Sequence, residues 1–192
     1  VISQSVSDKR KDILAAALRL FAEYGFHATP TSKIAKEAGV ANGTLFYYYK
    51  TKEDLIVSLY IDIKSRMGEH VEAHVAAADD EKEKFRQQFI QVVLWSLVNK
   101  FEFQFLQQFQ SSPYVSLLSP EDIKKQIAKT CHDIEAAIAK NLIKDRDTGF
   151  ILTLMSSQLN GLNQYLSKNN LSKEKQIAVI NDAFTMLWAM LA

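Results

Sequence analysis

The sequence predicts an all-α protein of about nine helices, a helix-turn-helix head followed by a helical body. Three observations carry the prediction. Glycine and proline number only 6 and 3 in 192 residues, too few for the many turns of an all-β fold. Apolar residues recur at three- and four-residue spacing along most of the chain. Helix start and stop signals fall between these periodic runs and divide them.

Taken in order, Ile13, Leu14, Ala17, Leu18 and Phe21 form a stripe from about Asp8 to Tyr24, and Gly25 stands where a left-handed cap is wanted. Thr31 is expected to cap a short helix carrying Ile34, Ala35 and Ala38, which Gly39 ends. Asn42 to Tyr49 reads as another short helix, bounded by Lys50-Thr51-Lys52. Thr51 in turn caps a long one, with Asp54 completing an approximate capping box ahead of Leu55, Leu59, Ile63 and Met67. Phe85, Phe89, Val92 and Val93 define a fifth helix, and Phe101, Phe105 and Phe109 a sixth that stops at Ser111-Ser112-Pro113. Ser119-Pro120-Glu121-Asp122 combines a capping serine, proline at the first position and acid in the first turn. The helix it starts carries Ile123, Ile127, Cys131, Ile134, Ile138 and Leu142 on one face. Two more follow, from about Asp147 to Lys168 and from Ser172 to Leu191.

With 47% apolar and 23% charged residues, disordered, collagenous and low-complexity classes are excluded. A chain of this length buries roughly 70% of its unfolded surface without staples. The single cysteine, Cys131, excludes a disulfide framework and a multi-cysteine metal cluster, and fits a reducing compartment. No apolar run reaches the roughly 18 residues of a membrane span, and Val1 to Lys11 is polar. The expectation is therefore a cytoplasmic protein with no membrane partner.

The net charge of +1 conceals a division. Residues 1–52 hold eight Lys or Arg against four acids, a net of +4, whereas the other 140 hold 15 against 18, a net of −3. The domain boundary is placed there: 1–52 as a helix-turn-helix DNA-binding domain, 53–192 as a helical ligand-binding and dimerisation domain. In the basic head, the short helix from Thr31, the turn at Gly39-Val40 and the helix from Asn42 have helix-turn-helix spacing. Ile34, Ala35, Val40 and Leu45 supply the inner face, and Asn42 and Thr44 point hydrogen-bonding groups forward. Tyr47, Tyr48 and Lys52 stand where phosphate oxygens are met. Periodicity alone leaves open a helical hairpin that merely packs.

Residues 8 to 60 also resemble the DNA-binding head of the TetR (tetracycline-repressor-like) transcriptional regulators. The likeness runs through Ile13-Leu14-Ala15-Ala16-Ala17, Leu20-Phe21-Ala22-Glu23-Tyr24-Gly25-Phe26, Thr31-Ser32-Lys33-Ile34-Ala35-Lys36-Glu37-Ala38-Gly39-Val40 and Gly43-Thr44-Leu45-Phe46-Tyr47-Tyr48-Tyr49-Lys50-Thr51-Lys52-Glu53-Asp54-Leu55. It implies a homodimer on a pseudo-palindromic double-stranded operator, no cofactor, and a small-molecule effector that releases a repressor. It further implies that Thr31 caps its helix and touches phosphate, with Ser32 and Lys33 at the groove edge. Asn42, Gly43 and Thr44 would open the recognition helix, and Tyr47, Tyr48 and Lys52 would hold the backbone. Two departures stand out. Ala41 occupies the usual place of a capping serine, leaving the helix uncapped or capped by Asn42, and Phe46 replaces a common tyrosine while keeping a ring for a thymine methyl. Lys9, Arg10 and Lys11 precede the first helix and read as a flexible basic arm adding backbone or minor-groove contacts, or equally as a solvated basic end.

In the body, Leu152, Met155, Leu159 and Leu162, with Phe150 and Tyr165, and then Ile177, Ile180, Phe184, Leu187, Trp188 and Leu191, spread apolar surface beyond one face. A two-fold seam would cover it, with Leu152, Leu159, Leu162, Ile180, Phe184, Leu187 and Trp188 as its residues; intrachain core is the other reading. A dimer would also set two recognition helices about 34 Å apart, in successive major grooves. Aromatics crowd the middle: Phe85, Phe89, Trp95, Phe101, Phe103, Phe105, Phe109 and Tyr114. The resemblance favours a cavity for an apolar or aromatic ligand lined by Phe89, Val93, Phe105, Phe109, Tyr114, Cys131, His132, Met155 and Gln158, with Gln107 and Gln108 as further polar anchors; the other reading makes these rings core. Ligand binding would tilt the long helix from Thr51 and change the separation of the heads.

His70 and His74 share a helix face, but Val71 stands where a zinc-protease motif has glutamate and no third ligand is evident. No metal is expected. Cys131 and His132 are adjacent on a helix and point about 100° apart, so they do not form a nucleophile and base. No enzyme is expected. The alternatives are a helical DNA binder without a small-molecule switch and, less favoured, a small all-α enzyme using the aromatic cavity.

Overall fold

The computed structural model describes residues 6–75 and 80–192. Among them are nine α-helices and one short 3-10 turn: α1 (Val6–Tyr24), α2 (Thr31–Glu37), α3 (Asn42–Tyr48), α4 (Lys52–His74), α5 (Glu81–Val98), α6 (Lys100–Gln110), the 3-10 turn (Pro113–Leu117), α7 (Pro120–Ala139), α8 (Thr148–Lys168) and α9 (Lys173–Leu191). No strand occurs among the described residues. The capping signals act as their chemistry requires. At α4 the Thr51 N–H donates to Asp54 Oδ2 at 3.1 Å and the Asp54 N–H donates to Thr51 Oγ1 at 3.0 Å, a reciprocal box. Ser119 Oγ accepts from the Asp122 N–H at 3.0 Å, Asp147 accepts from Phe150, and Ser172 from Lys175.

The chain divides into two compact units, 1–64 with 100–123, and 65–99 with 124–192. The expected boundary after residue 52 follows the charge; the units instead divide α4 at Lys64 and return α6 to the head. The reason is aromatic packing. Phe105 and Phe109 of α6 are fully buried in the first unit. Phe26, just past α1, meets Phe21 edge-on at 5.3 Å, Phe105 edge-on at 5.5 Å and Tyr114 edge-on at 5.3 Å. Gln104 and Gln108 donate their side-chain amides to the Ala22 carbonyl at 2.8 and 3.3 Å, satisfying an acceptor in the last turn of α1 that has no helical partner. Thr29, fully buried, donates its hydroxyl to the Gly25 carbonyl at 2.8 Å and lies 3.2 Å from the Leu20 carbonyl. The α1 stripe (Ile13, Ala17, Phe21), the inner face of α2 and α3 (Ile34, Ala35, Leu45) and Leu55, Ile56, Leu59 and Ile63 of α4 complete this core. Phe101, expected on the α6 stripe, is 51% exposed; Phe103 and Leu106 are buried in its place.

In the second unit α5 packs on α8 and α9, and those two on each other. Phe85, Phe89, Val93, Ile134, Leu162, Ile180, Phe184, Leu187 and Trp188 share one buried cluster, with Leu152, Met155 and Leu159 partly buried against it. Asp133 and Asn163, both buried, are paired. Asp133, 3% exposed, accepts from Lys84 Nζ at 2.6 Å and Gln88 Nε2 at 2.9 Å. Asn163 donates to the buried Ser96 hydroxyl at 2.8 Å. Two residues past α7, Asn141 takes φ 54°, and the Leu142 N–H reaches back to the Ala137 carbonyl at 2.9 Å in a left-handed cap.

Candidate nucleic-acid interface

The geometry of the head begins at the turn between α2 and α3. Gly39 has φ +65°, a left-handed conformation that other residues adopt at a cost. Its N–H reaches the Lys36 carbonyl at 3.2 Å and the Val40 N–H the Ala35 carbonyl at 3.0 Å, the paired bonds of a Schellman cap. That cap redirects the chain within three residues into α3. Pro30, not Thr31, occupies the position before α2, and no side chain caps either helix. The expectation of a Thr31 cap fails because Thr31 is itself the first helical residue. At α3, Ala41 holds the cap position and Asn42 is the first helical residue, so the missing serine is not replaced.

Buried Leu45 and Tyr49 hold α3 from beneath. Arg10 reaches Tyr49 from α1: its Nε–H donates to the phenol oxygen at 3.3 Å, and its guanidinium lies 6.0 Å from the ring centroid. The hydrogen bond to Tyr49, then its charge, and finally the charge of Asp62 raise the Arg10 pKa, opposed by burial. α1 begins at Val6, so Lys9, Arg10 and Lys11 are helical. The flexible-arm reading therefore gives way to an anchored helix end.

The opposite side of α3 is open. Asn42, Gly43, Phe46 and Tyr47 are exposed, Tyr47 by 73%. Tyr48 meets Tyr47 edge-on at 5.3 Å, and Lys50 Nζ lies 6.0 Å from the Tyr47 centroid. Thr44 is half-buried, and a Cβ at Gly43 would meet no atom within 4 Å. Beside this face Ser32 and Lys33 are exposed and Thr31 half-buried; Lys33 Nζ sits 3.5 Å from the centroid of Tyr24. Lys52 donates to the Phe26 carbonyl, and burial pushes its ammonium pKa down. Two of its three donors remain for another acceptor. Arg19 is paired with Glu37. The arrangement is a helix held from below, with an aromatic, polar and cationic upper surface, suited to a groove edged by phosphates.

The residues expected to line a cavity fall in both units. Phe105, Phe109 and Tyr114 belong to the aromatic core of the first, whereas Phe89 and Val93 are buried in the second with Met155 against them. Gln158 donates to the Ala183 carbonyl at 2.6 Å, and His132 is exposed. Cys131 is half-buried; burial, and then the charge of Glu135, push its thiol pKa up. Of the residues expected at a seam, Leu162, Ile180, Phe184, Leu187 and Trp188 are buried within the chain's own second unit, against α5. The apolar surface that α8 and α9 leave exposed consists of Phe150, Tyr165, Ile177, Met186 and Met190. His70 and His74 stack at 4.2 Å, with Nδ1 of His74 hydrogen-bonded to the His70 carbonyl at 2.7 Å. The Arg10–Tyr49 contact joins residues 39 apart and has no local signal in the sequence.

A family model described as "Bacterial regulatory proteins, tetR family" matches residues 13–59. A "Fatty acid metabolism regulator protein" of Bacillus subtilis (strain 168) is 45% identical over 76 residues, 40% of this chain and 36% of that protein. The chain thus aligns with about a third of that relative's length. Two solved structures match nearly end to end. A TetR family transcription regulator of Shewanella sp. PV-4 has a TM-score of 0.89 at 26% identity, covering 96% of this chain and 98% of the other. One from Marinobacter aquaeolei VT8 has a TM-score of 0.82 at 25% identity, covering 97% and 96%.

Proposed function

Because the chain belongs to the TetR family of bacterial regulatory proteins, we propose that it binds an operator as a homodimer, inserting α3 into the major groove, and represses transcription until an effector releases it. The single observation that carries the DNA reading is the open face of α3. A tyrosine 73% exposed beside an exposed phenylalanine, on a helix whose other side is fully buried, is an apolar surface without an intrachain use. Tyr47, Tyr48 and Lys52, together with Thr31, Ser32 and Lys33, contact phosphates; Asn42, Gly43, Thr44 and Phe46 face base edges. The two-fold seam uses the exposed Phe150, Tyr165, Met186 and Met190, not the side chains already spent in the core. The effector is a small molecule with an apolar body, and it acts by favouring a position of α4 that differs from the DNA-bound one.

Anisotropy titration of labelled DNA flanking the protein's own coding sequence tests the reading. Tight, sequence-selective binding that falls with salt is expected, with Tyr47→Ala weakening it. Equal affinity for scrambled DNA, or a monomer by sedimentation at micromolar concentration in the presence of operator, refutes it.

A further inference from the structure

Lys33 is held in place without being neutralised. It is the third residue of α2, and its ammonium lies 3.5 Å from the centroid of the Tyr24 ring at the end of α1. Both side chains are exposed, Tyr24 by 46%, so the contact is made on the surface of the head and adds nothing to its core. A cation over a ring face is attracted by the ring's quadrupole. The ring carries no net charge, so the positive charge of Lys33 stays available to an anion. The neighbouring carboxylates are engaged elsewhere. Glu37 lies four residues after Lys33, a spacing at which lysine and glutamate on one helix pair, but Arg19 of α1 takes it instead. Glu23, next to Tyr24 in the chain, accepts the hydrogen of the Tyr24 phenol; that bond, and then the charge of Glu23, push the phenol pKa up. Among the described residues no carboxylate pairs with Lys33.

A lysine that meets a phosphate gives up the freedom of a long, flexible stem. An ion pair to a carboxylate would restrict that stem but cancel the charge, whereas the ring restricts it and leaves the charge intact. Lys33 stands in the exposed first turn of α2, beside the open face of α3. We propose that Tyr24 is a positioning residue for DNA binding: its ring presets the Lys33 ammonium, charged and unpaired, for a backbone phosphate at the edge of the groove that α3 enters. The proposal rests on the DNA reading above. To it is added a residue of α1 that acts through Lys33 and touches no DNA itself.

The test is a double-mutant cycle on the full chain, read by anisotropy titration of DNA flanking the protein's own coding sequence over a series of salt concentrations. Lys33→Met is expected to weaken binding and to reduce the slope of log affinity against log salt by about 0.9 at each half-site, the loss of one phosphate contact. Tyr24→Leu is expected to weaken binding about two- to fivefold at each half-site, the strength of one exposed cation–π contact, with the slope unchanged because the phosphate contact still forms. Tyr24→Phe, which keeps the ring, stays near wild type. In the Lys33→Met background Tyr24→Leu has no further effect, whereas a merely structural role for the ring costs the same in both backgrounds. Thermal melts establish that the variants fold. An unchanged slope in Lys33→Met, no cost of Tyr24→Leu, or an equal cost with and without Lys33 overturns the role of Tyr24. If the wild type does not prefer the flanking DNA to a scrambled sequence, the DNA reading fails and this role with it; selective binding together with any of those three results sinks this role alone.

Discussion

Under the proposed mode of DNA binding, Gly43→Ala is expected to move stability and operator affinity in opposite directions. Gly43 is the second residue of α3, without a left-handed φ, and a Cβ there meets no protein atom within 4 Å. Nothing inside the chain therefore opposes Gly43→Ala. Alanine restricts the unfolded chain and suits a helix, so the substitution should stabilise the protein by about 0.4–1 kcal/mol. For a chain of this size that raises Tm by roughly 1–4 °C. Under the proposed mode of DNA binding the same methyl would project from the exposed side of α3 toward the duplex. Backbone approach at a glycine leaves no room for it, and a loss of about tenfold or more in operator affinity is expected, equivalent to about 1.4 kcal/mol. Differential scanning calorimetry and anisotropy titration at one fixed salt concentration measure the two effects. Wild-type affinity in the variant would show that Gly43 does not approach the duplex. A lowered Tm would show that the space around it has been misjudged.

Three further outcomes are expected. Arg10→Met should weaken operator binding severalfold while leaving the slope of log affinity against log salt unchanged, because Arg10 steadies Tyr49 beneath α3; a direct phosphate contact would instead reduce the slope by about 0.9. Asp133→Ala should destabilise the protein by about 3 kcal/mol in urea unfolding, since it leaves Lys84 and Gln88 without their shared acceptor, and a change under 1 kcal/mol would mean the cluster relaxes freely. Glu83 accepts two hydrogen bonds from Arg86 and one from Gln87, and these hold its carboxyl down at about 2. A depressed carboxyl stabilises the fold above the ordinary carboxylate range and loses that contribution as pH falls from about 4.5 toward 2. A carboxyl-detected NMR titration should place its midpoint near the lower end, and in Arg86→Met closer to the ordinary value but still below it, because the Gln87 hydrogen bond remains.

Local chemistry was readable from the chain where cause and effect lie within a few residues. The Thr51–Asp54 box, the Ser119 start and the Gly39 stop each depend on side chains three residues apart or on one φ angle, and each stands as expected. Partnership at long range was not readable. The width of the α8 and α9 stripes showed that Phe184 and Trp188 need cover, but a stripe carries no sign of whether a neighbouring helix or a second chain supplies it; α5 does, through Phe85 and Phe89. The same limit concealed α6, whose phenylalanines suit a cavity wall as well as the core beneath α1. Thr31 was misplaced by one position because Pro30, with its fixed φ, serves as well at a helix entrance as a capping hydroxyl does.

The return of α6 to the first unit has a consequence for synthesis. The Ala22 carbonyl waits for Gln104, 82 residues further along the chain, and Phe21 and Phe26 wait for Phe105. At about 5–20 residues per second, the ribosome supplies those partners roughly 4–16 s after α1 has been made. During that interval the nascent head exposes the underside of α1, and a chaperone or early α4 contacts must cover it. A head excised at residue 64 would carry that exposure permanently, so transplanting this DNA-reading surface into another protein requires residues 100–123 to travel with it.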